Sequence, residues 1–139
     1  MLQERIEAKW IDCFAEVFAR CGVKPGDPCA ILSETLSRPV NVHLAELALL
    51  KLGARAFHVV VPTPPLSAPA PVRSTGASNA IGELGPAVTA LAASVFVADL
   101  TVEGLLHSVE LPAILKGGAR VLMVSNEHPE ALRSEEHTS

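Results

Sequence analysis

The chain has 139 residues, which is enough for one domain with a hydrophobic core. Hydrophobic residues make up 49% of it and the mean hydropathy is +0.35, so the composition excludes a disordered chain. The formal net charge is -4 and the basic residues are scattered, so nothing indicates binding to nucleic acid or to an anionic membrane. No apolar run reaches the ~18 residues of a membrane span, and the acidic N-terminus does not resemble a secretory signal. We therefore expect a cytoplasmic protein.

The first part of the sequence predicts a helix followed by a strand–helix–strand unit. Residues 2–22 carry apolar side chains at helical spacing, and Gly22 is placed to end that helix. A short apolar strand follows at 29–33, a helix begins at Pro39, and a second strand spans 55–61. Two strands joined by a helix over this length are typical of a parallel βαβ unit.

The second part predicts two more strands. Residues 62–71 hold five prolines and the polar segment that follows reaches Gly85, so we expect a long excursion that forms a lid or cleft wall. A small helix at 86–93 leads into a strand at 94–99. A helix at 103–117, broken near Pro112, then precedes a strand at 120–125, and residues 128–132 look like the first turn of an uncompleted helix. The predicted fold is α/β and Rossmann-like, with a mostly parallel four-stranded sheet and flanking helices.

Several familiar sites are missing from the sequence. The loop after the first strand has neither a dinucleotide-binding glycine motif nor a P-loop. Cys13, Cys21 and Cys29 have no metal-ligand spacing, and we expect them to be buried reduced thiols. The sequence therefore predicts no cysteine–histidine metal cluster and no nucleotide site of the usual kind.

Polar residues follow the first and third predicted strands. Asp99 and Thr101 stand where the strand at 94–99 ends, and His107 comes shortly after. Ser33 and Glu34 follow the first strand. Because ligands bind at the carboxyl ends of strands in open α/β sheets, these residues can line a substrate pocket. The alternative is that Asp99 and Thr101 cap the next helix, Ser33 and Glu34 solvate a loop, and His107 is an ordinary surface histidine.

The last seven residues call for a separate interpretation. Residues 133–139, RSEEHTS, are what the DNA AGA TCG GAA GAG CAC ACG TCT encodes, and that DNA is the start of a common sequencing-adapter oligonucleotide. We expect residues 1–132 to be the native domain and 133–139 to be adapter read-through. Glu135, Glu136 and His137 are therefore given no functional role.

Three segments carry a resemblance to a known family: VKPGD at 23–27, ALLKLGARAFHVVVPTPP at 48–65, and ADLTVEGLLHSVELPAILKGGARVLMVSNEHPEAL at 98–132. The most specific part is L-L-H-S at 105–108. Through these segments the chain resembles the bacterial 2,5-dihydroxypyridine 5,6-dioxygenase-like proteins, which share a superfamily with the M29 or aminopeptidase T-like metallopeptidases. The resemblance covers most of residues 1–132.

The resemblance implies an amino-terminal Rossmann-like domain of a larger ring-cleaving enzyme acting on a dihydroxypyridine-type aromatic and O₂. The divalent metal, Fe(II) in the dioxygenases, would be held by histidine and carboxylate ligands outside this chain. His107 matches the family's acid/base histidine, a role that suits a side chain able to exchange a proton near neutral pH. Ser108 and Asp99 would at most orient it. We expect the isolated chain to be inactive and prone to self-association through its final strand, as a homo-oligomer.

Two other functions stay open at this stage. The first is an amino-terminal domain of a metallo-aminopeptidase, whose metals would activate water and whose ligands would also lie outside this chain. The second is a small-molecule-binding α/β module without chemistry of its own.

Overall fold

The computed structural model describes residues 6–65 and 76–138, and the side chains of residues 134–138 are outside the description. Five helices and four strands alternate along these residues. In chain order they are α1 (Ala8–Arg20), β1 (Pro28–Glu34), α2 (Pro39–Lys51), β2 (Arg55–Val61), α3 (Gly85–Ala92), β3 (Phe96–Asp99), α4 (Leu111–Lys116), β4 (Arg120–Met123) and α5 (Pro129–Thr138). No helix within the described residues is long and apolar enough to cross a membrane.

The four strands form one parallel sheet in the order β2-β1-β3-β4. β1 and β3 lie in the centre, where every residue after Pro28 is buried, whereas β2 and β4 form the edges. The register pairs Leu32 of β1 with Asp99 of β3, so the two central strands end close together. The predicted α/β class, the four strands and their parallel arrangement are confirmed.

Helices cover both faces of the sheet and enclose two hydrophobic cores. One core lies between the sheet and the helices α1 and α2, and the other lies between the sheet and the helices α3 and α4. Alternate residues of each central strand enter alternate cores, as the pleat of a strand requires. In β1, Cys29 and Ile31 join the first core, and Ala30 and Leu32 join the second.

Trp10 lies on the buried face of α1 and connects that helix to α5. Trp10 is buried in the first core, and its indole Nε1–H donates to Glu130 Oε2 of α5 at 2.7 Å. The edge of its ring meets the His128 imidazole at a centroid distance of 5.3 Å. This contact holds α5 against α1. The hydrogen bond from Trp10, together with the nearby Lys9 ammonium, lowers the pKa of the Glu130 carboxyl.

Two predicted helices differ from the structure. The helix predicted at 103–117 is wrong for its first half, because residues 100–110 form an irregular loop and α4 begins only at Leu111. Pro112 lies in the first turn of α4, where a proline is tolerated, and does not break a longer helix. The helix predicted to stop after its first turn instead continues as α5 to Thr138.

The predicted lid or cleft wall is described only in part. Residues 62–65 and 76–84 have no regular strand or long helix, as expected for this stretch. Residues 66–75, which include most of the proline-rich run, lie outside the described residues. The small helix predicted at 86–93 is confirmed as α3.

Candidate functional site

The candidate site lies at the carboxyl ends of the central strands. β1 connects to β2 on one side, and the chain then crosses to β3 on the other side, so the strand order reverses between β1 and β3. In open α/β sheets a crevice forms at such a reversal. Glu34 ends β1 and Asp99 ends β3, on the same face of the sheet, because both continue the strand positions that enter the second core. By the same alternation Ser33 faces the first core, so the structure separates it from Glu34.

Asp99 organises the loop that follows β3. Its Oδ1 accepts hydrogen bonds from the Thr101 N–H at 3.0 Å and from the Thr101 hydroxyl at 2.6 Å. Its Oδ2 accepts from the Leu105 N–H at 2.8 Å. The Thr101 oxygen in turn accepts from the Gly104 N–H at 3.1 Å. The N–H groups of Thr101, Gly104 and Leu105 therefore donate to side chains and not to the backbone carbonyls of a helical turn. This explains why no helix forms before Leu111.

Asp99 is only 1% exposed. Burial raises its pKa, and the three donors from Thr101 and Leu105 oppose that rise. Asp99 and Thr101 thus fix the loop from inside, and their oxygens are already occupied by the protein's own donors.

Glu34 is the second buried carboxyl at this edge, with 5% exposure. Burial is the main cause that raises its pKa, and the charges of Asp99 and Glu103 raise it further. Hydrogen bonds from the Thr63 hydroxyl and the Val102 N–H act in the opposite direction. Thr63 also accepts the Leu36 N–H at 2.9 Å. Residues that follow β1, β2 and β3 are therefore joined around one carboxyl group.

Ser37 links the turn after β1 to the residue that follows β3. Its hydroxyl donates to the Leu100 carbonyl at 2.6 Å and accepts the Glu34 N–H at 2.9 Å. The hydroxyl is buried, so both bonds are shielded from water. Ser37, Thr63 and Glu103 are site residues that were not predicted from the sequence. A signal existed for the first two, since each is a polar residue within four positions of a predicted strand end.

His107 and Ser108 stand at the far end of the loop that Asp99 holds. His107 is exposed, and the Ser108 side chain is buried. The Ser108 hydroxyl has no hydrogen-bond partner among residues 6–65 and 76–138. A buried hydroxyl without a partner is costly, so the Ser108 oxygen keeps an unused capacity for a hydrogen bond. Asp99 reaches His107 only indirectly, through the Leu105 N–H two residues earlier.

No metal site is formed by the described part of the chain. Among these residues there is no group of three or more histidine, cysteine, aspartate or glutamate side chains that could hold a metal ion. The carboxylates of Glu34 and Asp99 are instead bound by N–H and O–H donors. The described residues at this edge therefore do not fit the coordination of a metal.

The bonds of Asp99 predict the effect of replacing it by its amide. In the Asp99→Asn variant the side-chain oxygen can still accept from Thr101, but an NH₂ group then faces the Leu105 N–H. We expect a loss of ~1–3 kcal/mol in the free energy of unfolding, because one buried donor is left unpaired. Urea denaturation measures it. The exposed Asp12→Asn variant is the control and should stay within about 0.5 kcal/mol of the parent chain; equal losses in both variants would contradict the assignment.

The raised pKa of Glu34 predicts a pH dependence. The pKa of Glu34 in the folded chain lies above its ordinary value of 4.5. Glu34 therefore contributes its full stabilisation when the pH is below 4.5. This stabilisation is lost as the pH rises through the higher folded pKa. We therefore expect the parent chain to lose more stability on going from pH 4 to neutral pH than the Glu34→Gln variant, in which nothing titrates at this position.

Denaturation curves measured across that pH range test this expectation. The Glu16→Gln variant, which changes an exposed carboxylate on α1, is the matched control and should follow the parent chain. Parallel pH profiles for the parent chain and Glu34→Gln would show that Glu34 is not the group responsible.

Comparisons with known proteins give one matching family and one well-aligned solved structure. The family model for 2,5-dihydroxypyridine 5,6-dioxygenase matches residues 9–138. Among solved structures, the 2,5-dihydroxypyridine dioxygenase from Pseudomonas putida KT2440 aligns with a TM-score of 0.78 and 29% sequence identity. That alignment covers 91% of this chain and 36% of the solved chain, so the chain spans little more than a third of that protein's length.

Two further structures align less well. One is an artificially fused adenylation-PCP di-domain NRPS from Klebsiella oxytoca, with a TM-score of 0.45 and 19% identity over 96% of this chain and 21% of that chain. The other is E. coli MenE with bound OSB-AMS, with a TM-score of 0.40 and 26% identity over 86% of this chain and 20% of that chain. No curated protein matches the chain.

The family match spans nearly all of the described residues, and it agrees with the fold shared with the solved enzyme. The resemblance carried by the segments at 48–65 and 98–132 is thereby confirmed. The chain belongs to the 2,5-dihydroxypyridine 5,6-dioxygenase family.

Proposed function

We propose that the chain is the amino-terminal domain of a metal-dependent, ring-cleaving dioxygenase that acts on a dihydroxypyridine-type aromatic and O₂. The observation that carries the proposal is the family match over residues 9–138, together with an exposed His107 beyond the carboxyl end of a central strand. The family model and the solved relative both name the dioxygenase, which favours it over the peptidase and the binding module.

In this proposal His107 is the acid/base residue. It is the exposed histidine of the loop that leaves the β1–β3 crevice, so a planar aromatic bound at this edge can meet its imidazole. Histidine can take a proton from a ring hydroxyl and return it at neutral pH. Asp99 and Thr101 fix the backbone of the loop that carries His107.

The other residues of the site have separate roles. We assign to the Ser108 hydroxyl a direct hydrogen bond to the substrate, since it is buried beside His107 and without a partner among the described residues. Glu34 lines the floor of the crevice with Thr63 and Glu103. Asp99 and Thr101 orient the loop, and Ser33, which faces the other core, supports the strand from behind.

We propose that the parent enzyme holds a divalent metal, Fe(II), with ligands outside this chain. The described residues do not fit a metal site, and the solved relative is much longer than this chain. When bound, such a metal would supply the activation of O₂ and of the aromatic diol. This chain by itself is then expected to show no oxygen uptake with 2,5-dihydroxypyridine.

The test of the acid/base role uses the parent enzyme with His107→Gln. We expect kcat for ring cleavage, followed as oxygen uptake, to fall ~10²–10⁴-fold, because a positioned proton-transfer group is lost. The matched control is His43→Gln, which replaces an exposed histidine on α2. A His107→Gln enzyme with the kcat and pH profile of the control would refute the role of His107.

We also propose that residues 133–139 are not native and that the parent continues beyond Leu132. Sequencing the locus from an independent template tests this. We expect the frame to diverge from RSEEHTS after Leu132 and to encode a further domain with metal-ligating histidine and carboxylate residues. The same seven residues and a stop codon in genomic DNA would refute it and would favour the binding module.

A further inference from the structure

The chain returns from the excursion after β2 directly onto the loop that carries His107. The Gly76 N–H donates to the Glu103 carbonyl at 2.5 Å, and the Ser78 N–H donates to the Gly104 carbonyl at 2.8 Å. In the opposite direction, the His107 N–H donates to the Gly76 carbonyl. Gly76 is thus bonded through its backbone to both ends of the segment from Glu103 to His107.

Gly76 also faces the His107 side chain. A Cβ atom at position 76 would lie 2.9 Å from His107 Cδ2, 3.6 Å from His107 Nε2 and 3.3 Å from Leu106 Cβ. The first distance is shorter than real Cβ contacts, so any side chain here displaces the imidazole. The φ angle of Gly76 is +75°, in the left-handed region that favours glycine.

We propose that Gly76 is a positioning residue for His107: its backbone fixes the main chain of His107, and its missing side chain leaves the place that the imidazole occupies. The meaning of this for catalysis rests on the proposed acid/base role of His107. Gly76 does not touch the reacting atoms in this proposal. It keeps open the orientation in which the ring lies against residue 76, which a side chain at that position would block.

The chain offers a matched control for the strain of a positive φ. Gly26 has φ +86°, and a Cβ atom there would meet nothing within 4 Å. Gly26→Ala therefore introduces the same kind of backbone strain as Gly76→Ala without a steric clash. If the His107 ring resonances shift in Gly76→Ala and not in Gly26→Ala, the shift is caused by the contact between residue 76 and the ring.

The first experiment is NMR of the 139-residue chain with labelled histidine and glycine. In the unmodified chain we expect a nuclear Overhauser effect between the Gly76 Hα protons and His107 Hδ2, with His107→Gln identifying that resonance among the five histidines. In Gly76→Ala the His107 ring resonances should shift, and in Gly26→Ala they should not. Absence of the Overhauser effect in the unmodified chain overturns the proposal, even if Gly76→Ala does not fold. Equal ring shifts in the two alanine variants also overturn it.

The second experiment measures kinetics in the parent enzyme. For Gly76→Ala we expect kcat to fall roughly tenfold to a hundredfold and the pH profile of kcat to change, with a smaller effect on KM, whereas Gly26→Ala keeps both. Unchanged kcat and pH profile in Gly76→Ala overturn the positioning role. Failure of the proposed function is distinguishable, since His107→Gln would then be fully active while the Overhauser contact remains.

Discussion

The structure of the site depends on the carboxylate of Asp99, which is buried at the end of β3 and binds three donors from the next six residues. A buried carboxylate is costly without partners and is an effective anchor once it has them. Thr101 and Leu105 supply these partners at the expense of helical hydrogen bonds. The loop that results leaves the sheet in one defined path and presents His107 and Ser108 at its end.

Three connections converge on this loop. The turn after β1 is tied to it by the Ser37 hydroxyl, which bonds the Leu100 carbonyl. The segment after β2 is joined to the loop through Glu34, whose carboxyl group accepts from both the Thr63 hydroxyl and the Val102 N–H. The segment at 76–78 forms hydrogen bonds directly with the backbone of the loop. These connections come from distant parts of the chain, so the path of the loop depends on the tertiary fold. The irregular loop that carries the candidate site is thus bonded to segments that follow β1, β2 and β3.

The burial of acidic side chains around this loop has an energetic cost. Glu34, Asp99 and Glu103 place three acidic side chains close together in a buried region, and the pKa values of the first two are raised mainly by burial. A domain selected for stability alone would place apolar side chains at this edge. The Asp99 carboxyl offsets part of this cost by the three hydrogen bonds that hold the loop after β3.

The sequence by itself determined the architecture. Four apolar runs with helices between them predict a parallel sheet, since a buried strand needs continuous apolar residues and a parallel connection needs a crossover helix. The L-L-H-S motif also indicated the family. Only the tertiary structure decided which of the polar residues meet. Local spacing allowed a helix from 103, and nothing local to Asp99 shows that burial would turn its carboxyl toward the Leu105 N–H. Gly76, Ser37 and Thr63 act across 27 to 63 residues of sequence, or through the absence of a side chain, and such contacts exist only once the sheet has formed.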